Sequence, residues 1–297
     1  MIAQPANPNL AKLGFTHTNR LLRIGLFLLF MVLKAAIFIF GSYYFDAFPT
    51  NKNLAYNLAI SAVFLLATLW FRYDKRGNRH WQIPLVFFAA SLAYPFSAIF
   101  DPWIRAVLGW FAVTPQISQG MAIEKVCEML LKTVPILLLI KLSGADMGSI
   151  FIKRGNLKLS LGIGALVFCF LATATFMFAA GRFTSADTLL AAVVWGMVFS
   201  FANSFMEELW LRGIFLKRFA PLIGMHASVW LTSIIFAFMH GSAFYFDPLA
   251  LIFFVANTLA LGLACGYLML KSDNLWGALL IHAASDFFLF VAVLANV

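Results

Sequence analysis

The stretch 189–212 reads Leu-Leu-Ala-Ala-Val-Val-Trp-Gly-Met-Val-Phe-Ser-Phe-Ala and then Asn203-Ser-Phe-Met-Glu207-Glu208-Leu-Trp-Leu-Arg212. Two adjacent carboxylates thus end a run without a formal charge. At the centre of a bilayer each charge costs roughly 3 kcal/mol on insertion scales, so an ionisable pair there is read by default as functional.

Composition supports a membrane setting. Apolar residues make up 63% of the 297 and charged residues 11%, with mean hydropathy +0.91, which is a membrane protein rather than a soluble core. The net charge of +9 would suit a nucleic-acid-binding face. The basic residues are instead scattered between apolar runs, as membrane topology scatters them, and no nucleic-acid partner is expected. Cys127, Cys169 and Cys265 lie in apolar segments with no paired or metal-type spacing and read as inert small hydrophobes.

Spans of about 20 apolar residues recur along the chain. They fall at 21–45, 54–71, 83–100, 121–141, 157–180, 188–211, 222–240, 249–270 and 275–295. The expected fold is an all-α, polytopic membrane bundle of eight or nine transmembrane helices, with an active site inside its C-terminal part. The first run is too long for a signal-peptide core and lacks a small-x-small cleavage site, so it reads as a membrane helix. Pro95 and Pro102 disturb the third span, and 103–113, with Trp103 and Trp110, reads as a short interfacial helix. Starting inside, alternation places 15 Lys and Arg in inner segments and 3 in outer ones, which predicts a cytoplasmic N-terminus.

In the fourth span Glu124, Glu128 and Lys132 recur at i, i+4, i+8 and share a helix face, either as an ion-pair stripe or as the lining of a polar cavity. Lys34, alone in the first span, is expected to snorkel or to pair with such a carboxylate. The polar, glycine-bearing segment 143–158 suggests a boundary between accessory helices (1–142) and a catalytic core (143–297). Gly262 and Gly266 form a GxxxG, which favours close backbone approach and says nothing about chemistry.

Glu208 and Arg212 are spaced i, i+4, so one carboxylate is neutralised within its own helix while Glu207 points about 100° away. His240 ends the seventh span in Phe236-Ala-Phe-Met-His240, and His282 and Asp286 share a face of the ninth. Each alone would be costly in lipid; together around water they are not. A carboxylate and an imidazole sharing a water form a general-base pair, and a second imidazole can donate to a developing oxyanion. No serine or cysteine stands beside a base in this pattern. Two histidines and a glutamate could also bind zinc, but no His-Glu-x-x-His is present, so no cofactor is the favoured expectation. With helix ends at Arg218 and His226, Glu208 and His240 lie roughly 15 and 21 Å deep, a mismatch that tilt or a broken helix must close. Trp210 reads as an aromatic-belt residue or a substrate contact, His80 and His226 as interfacial, and Asp247-Pro248 as a helix start.

Glu-Glu-x-x-x-Arg at 207–212, Phe-x-x-x-His at 236–240 and His-x-x-x-Asp at 282–286, in order on successive apolar segments, resemble the CAAX protease and bacteriocin-processing (CPBP) family of intramembrane endopeptidases, which includes the Ras-converting CAAX endopeptidase. The resemblance covers 143–297. It implies that Glu207 and His240 activate water, that Glu208 pairs with Arg212, and that His282 and Asp286 form the oxyanion side. The family's last motif position is often Asn. An amide donates a hydrogen bond and an ionised carboxylate cannot, so Asp286 is either protonated or an orienting group for His282.

The expected activity is therefore a glutamate-type intramembrane endopeptidase, metal-dependence being the second choice. Its partners would be membrane lipids and a peptide or lipidated protein substrate, in a bacterial inner or plasma membrane. A non-catalytic scaffold or immunity-type protein of the same fold is the first alternative. A proton-coupled transporter is the second, since buried Glu, His and Asp also build proton relays; the absence of an internal repeat weighs against it.

Overall fold

The structure, a computed structural model, describes residues 20–42, 50–74, 77–179, 181, 183, 185–241 and 248–291, and every regular element among them is helical. Backbone groups in lipid must be satisfied within the segment, which a helix does. The elements are α1 (Arg20–Ala35), continued by a π-helical turn (Ala36–Phe40), α2 (Thr50–Tyr73), α3 (Gln82–Ser91), α4 (Ala93–Trp110), α5 (Ser118–Leu142) and α6 (Leu157–Ala179). Then come α7 (Ala186–Glu207), a second π-helical turn (Glu208–Gly213), α8 (Ile214–Ile223), α9 (Met225–Gly241), α10 (Pro248–Ser272) and α11 (Trp276–Leu289).

Among the described residues six helices are long and apolar enough to cross a membrane: Arg20–Phe40, Lys52–Tyr73, Gln82–Trp110, Leu157–Ala179, Ala186–Ile223 and Leu251–Ser272. The expected spans at 121–141, 222–240 and, within the described residues, 275–295 are also helical, but α5 carries Glu124, Lys125, Glu128 and Lys132, while α9 and α11 are shorter, at 17 and 14 residues. The chain is a polytopic, all-helical integral membrane protein.

Three boundaries differ from the sequence reading. The 103–113 stretch is no separate interfacial helix, because α4 runs unbroken through Pro102 to Trp110. The break falls earlier, at Leu92, and Pro95 sits in the first turn of α4, where N–H groups have no intrahelical partner to lose. The sixth span continues past 211 to Ile223, and the chain turns at Gly224, whose φ of 96° suits a residue without Cβ. Lys217 and Arg218 do not end the helix because each finds acceptors: Arg218 Nη1 donates to the Ile214 carbonyl at 3.0 Å, and Lys217 Nζ to the Gly148 carbonyl at 2.5 Å. Residue 247 lies outside the described residues; α10 begins at Pro248.

Glu128 accepts from Lys125 Nζ at 2.6 Å and pairs with Lys132, and with Glu124, Lys125, Ser97 and Asp101 it also lines a cavity of about 710 Å³. The stripe is thus both an ion-pair network and a cavity wall. Among the described residues Lys34 pairs with no carboxylate. Its Nζ donates to the Leu211 carbonyl at 2.7 Å, inside the second π-helical turn, and lies 3.9 Å from the centroid of the Phe215 ring.

The largest buried cluster joins α1, α3, α5, α8 and α9 around Phe38, Phe87, Ile136, Trp210, Phe215 and Phe236. Residues before and after 142 both contribute to it. Trp210 is one of its centres rather than a belt or substrate residue: it is 2% exposed, and its Nε1 donates to the Ala90 carbonyl at 2.9 Å. On the opposite side α6 packs on α11 where Gly164 meets Gly277. A Cβ on Gly164 would lie 3.0 Å from the Gly277 carbonyl oxygen, and one on Gly277 would collide with the Ser160 carbonyl. Small residues permit this approach without a hydrophobic drive between helices. Gly277→Ala is expected to lower stability by about 1–3 kcal/mol through overpacking, read as a fall in thermal unfolding midpoint in detergent. Gly162→Ala, whose Cβ meets nothing within 4 Å, should leave that midpoint unchanged.

Candidate active site

The last turn of α7 presents Asn203, Ser204 and Glu207, and the π-helical turn that follows presents Glu208 and Arg212. In this turn the Ile214 N–H reaches back five residues to the Leu209 carbonyl. Such an insertion widens the helix and is frequent at functional sites. Here the Leu211 carbonyl takes its proton from Lys34 on α1.

At the bottom of the site lies a buried chain of charge. Arg212 Nη1 donates to Glu208 Oε1, and His282 Nδ1 lies 2.7 Å from that same oxygen. Neither side chain of the Arg212–Glu208 pair has any exposure, and that of His282 has 2%. The guanidinium lies 4.0 Å from the centroid of the Phe236 ring. It also fills the space above Gly262, where a Cβ would come within 2.9 Å of Nη2. The GxxxG therefore does more than pack α10 on α9: Gly266 meets Val229, while Gly262 makes room for Arg212.

Above this chain the remaining groups converge. Glu207 Oε2 lies 3.5 Å from His240 Nε2 and 3.6 Å from His282 Nε2. His282 Nε2 is in turn 3.6 Å from Asp286 Oδ1. Asp286 Oδ2 accepts from Asn203 Nδ2 at 3.0 Å and from Ser204 Oγ at 3.1 Å. His240 Nδ1 lies 2.9 Å from the Phe236 carbonyl, and since a carbonyl only accepts, Nδ1 carries the proton there. Its Nε2 is left to face Glu207. Phe236 is the hub of the arrangement, its ring centroid 4.4 Å from that of His240 and 5.5 Å from that of His282.

All six candidate residues, Glu207, Glu208, Arg212, His240, His282 and Asp286, thus meet in one place despite the unequal depths expected for Glu208 and His240. The longer sixth helix closes that gap: it ends at Ile223 rather than Arg218, so Glu208 and His240 lie equally far along the chain from the turn at Gly224, roughly 24 Å of helix each. Four participants escaped the sequence reading as functional groups: Asn203, Ser204, Phe236 and Gly262. Asn203 stands i−4 to Glu207 and so on its face, a signal present in the sequence. Nothing along the chain marks Gly262 as the neighbour of Arg212. Among the described residues no three His, Cys, Asp or Glu side chains are arranged to hold a metal ion.

A polytopic helical bundle with acid–base groups gathered between its helices defines the class, an integral membrane protein with its polar site enclosed. Residues 187–288, the stretch that carries all six candidate residues, match the family described as "Type II CAAX prenyl endopeptidase Rce1-like". No curated protein and no solved structure matches the chain.

The Glu208–Arg212 pair sets an energetic expectation. Arg212→Leu leaves a buried carboxylate without its cation, which costs about 3–5 kcal/mol, read as loss of unfolding midpoint in detergent. The double variant Arg212→Leu with Glu208→Gln should recover part of that loss.

Proposed function

We propose that the chain is a metal-free, glutamate-type intramembrane endopeptidase in which Glu207 and His240 activate the attacking water. The observation that carries this reading is Glu207 Oε2. It is buried and accepts no hydrogen bond among the described residues, yet it faces two imidazole Nε2 atoms at 3.5 and 3.6 Å. Buried polar atoms are almost always partnered, by protein or by ordered water. One water molecule fits both needs: it donates one proton to Glu207 Oε2 and the other to His240 Nε2, and turns an oxygen lone pair toward the substrate carbonyl. As the C–O bond forms, the water proton passes to Glu207. The tetrahedral intermediate then collapses, the C–N bond breaks, and Glu207 returns the proton to the leaving amine.

His282 serves the oxyanion side. As an imidazolium it donates at both nitrogens, Nδ1 to Glu208 and Nε2 toward the reacting carbonyl. Asp286 orients it. The contacts of Asp286 with Asn203, Ser204 and His282 are those of an accepting carboxylate, so the orienting role is favoured over a protonated donor. Side-chain exposure rises from none at Glu208 through 10% at Glu207 and 13% at Asp286 to 21% at His240, so water reaches the site from the Glu207–His240 side.

The substrate class is a peptide or lipidated protein entering from the membrane. His282 lies less than two helical turns from the start of α11, roughly 9 Å at 1.5 Å per residue. That end of the bundle carries Lys217, Arg218 and Lys271, which by the positive-inside rule is the cytoplasmic side.

Glu207→Gln and His240→Ala should each lower hydrolysis of internally quenched lipidated and unlipidated peptides by about 10²–10⁴-fold, with the unfolding midpoint retained. Wild-type protein inert across such a panel would sink the enzyme reading and leave a scaffold. Turnover should survive chelators; its loss, with restoration by zinc, would replace the metal-free mechanism.

A further inference from the structure

A second cavity lies away from the catalytic groups. It has a volume of about 460 Å³ and runs between α1, α2 and α3 and the end of α8. Its lining is apolar apart from His80: Leu22, Leu26, Leu29 and Leu33 form one stripe of α1, opposed by Phe64, Ala67 and Phe71 of α2. Rings close its deep end, Phe30 stacking on Phe219 with centroids 4.4 Å apart and Phe64 on Phe87 at 5.1 Å.

The shallow end is basic. The lining residues there are Leu22, Phe71 and His80, and each has an arginine as chain neighbour: Arg23, Arg72 and Arg79, all exposed. Arg72 lies 4.8 Å from the centroid of the Trp81 ring, which ties the end of α2 to the start of α3 at this rim. The groove is thus a hydrocarbon throat with three exposed arginines next in the chain to the lining residues of one end. Its length also fits a ligand. From Leu22 to Leu33 the helix rises about 16 Å, close to one leaflet, about half of a hydrocarbon core of ~30 Å.

From this geometry we infer a structural site for an anionic phospholipid, with one acyl chain in the groove between α1, α2 and α3 and the phosphate against Arg23, Arg72 and Arg79. Basic pockets between membrane helices bind anionic headgroups on the cytoplasmic side, where the positive-inside rule also puts these arginines. An apolar groove alone would accept any chain. The arginines select for charge. A bound chain would also brace α1, whose Lys34 reaches the Leu211 carbonyl beside the catalytic groups, although the lipid site does not depend on the proteolytic reading.

The test uses the full chain in vesicles of phosphatidylglycerol and phosphatidylcholine in equal parts, with retained lipid read by native mass spectrometry. Wild-type protein should retain phosphatidylglycerol in preference to phosphatidylcholine. Each arginine replaced, as in Arg23→Gln and Arg79→Gln, should cut that preference by about fivefold. Leu29→Trp, which fills the groove, should lower retention of both lipids. All three positions are exposed, so unfolding midpoints in lipid-free detergent should match wild type. Equal retention of the two lipids by wild type, or a preference that survives both arginine changes, overturns the headgroup assignment. Undiminished retention by Leu29→Trp overturns the acyl-chain assignment.

Discussion

The Arg212–Glu208–His282 chain is the constraint around which the rest of the protein is arranged. A guanidinium and a carboxylate with no solvent exposure lose the full hydration of both ions, and their attraction offsets this only where geometry is good and the remaining donors are met. Four helical segments cooperate to build that geometry, while Arg212 Nε and Nη2 and Glu208 Oε2 keep no hydrogen-bond partner among the described residues. The π-helical turn places Arg212 against Glu208, α11 brings His282 Nδ1 to the same oxygen, α9 supplies the Phe236 face, and α10 supplies the gap at Gly262. Fixing one carboxylate so firmly fixes the backbone on which its neighbour Glu207 stands. Glu207 can then point its Oε2 at His240 and His282 with no hydrogen bond to that oxygen from the described residues.

The N-terminal helices bear on this arrangement from behind. Lys34 takes up the Leu211 carbonyl in the π-helical turn, and Trp210, one residue before, is wedged edge-on against Phe38 and Tyr94 at 5.0 and 5.1 Å. Lys132 of α5 lies 4.6 Å from the centroid of the Trp210 ring. The irregular turn after Glu207, which in isolation would relax to an α-helix, is therefore gripped by α1, α3 and α5.

Much of this was legible in the chain. Apolar runs, the Lys and Arg bias, and carboxylates and imidazoles in segments where they are expensive all report on local chemistry, and local chemistry is what a linear pattern encodes. The i, i+4 pairs Glu208–Arg212 and His282–Asp286 needed only the period of a helix. Where reading along the chain failed, the cause was an interaction across it. Lys34 found a carbonyl rather than a carboxylate because a π-helical turn, invisible in the residue pattern, left that carbonyl to a side chain. Trp210 looked like an interfacial aromatic because its neighbours Ala90, Phe38 and Tyr94 lie far away in sequence. The 103–113 stretch looked separate because two prolines suggest breaks, and one of them falls where a helix has no hydrogen bond to lose.

By itself the sequence determined a helical membrane protein, the spans that carry the polar groups, and which side chains on one helix share a face. Only the tertiary structure decided that His240 and His282 both come within 3.6 Å of Glu207, that Asp286 is held by Asn203 and Ser204, and that Glu208 serves Arg212 and His282 together. The reason is geometric. Rise and rotation per residue are constants of a helix, so positions on one helix can be computed. The relative depth and rotation of different helices depend on packing, here on glycine contacts and one wide turn, and no local pattern contains them.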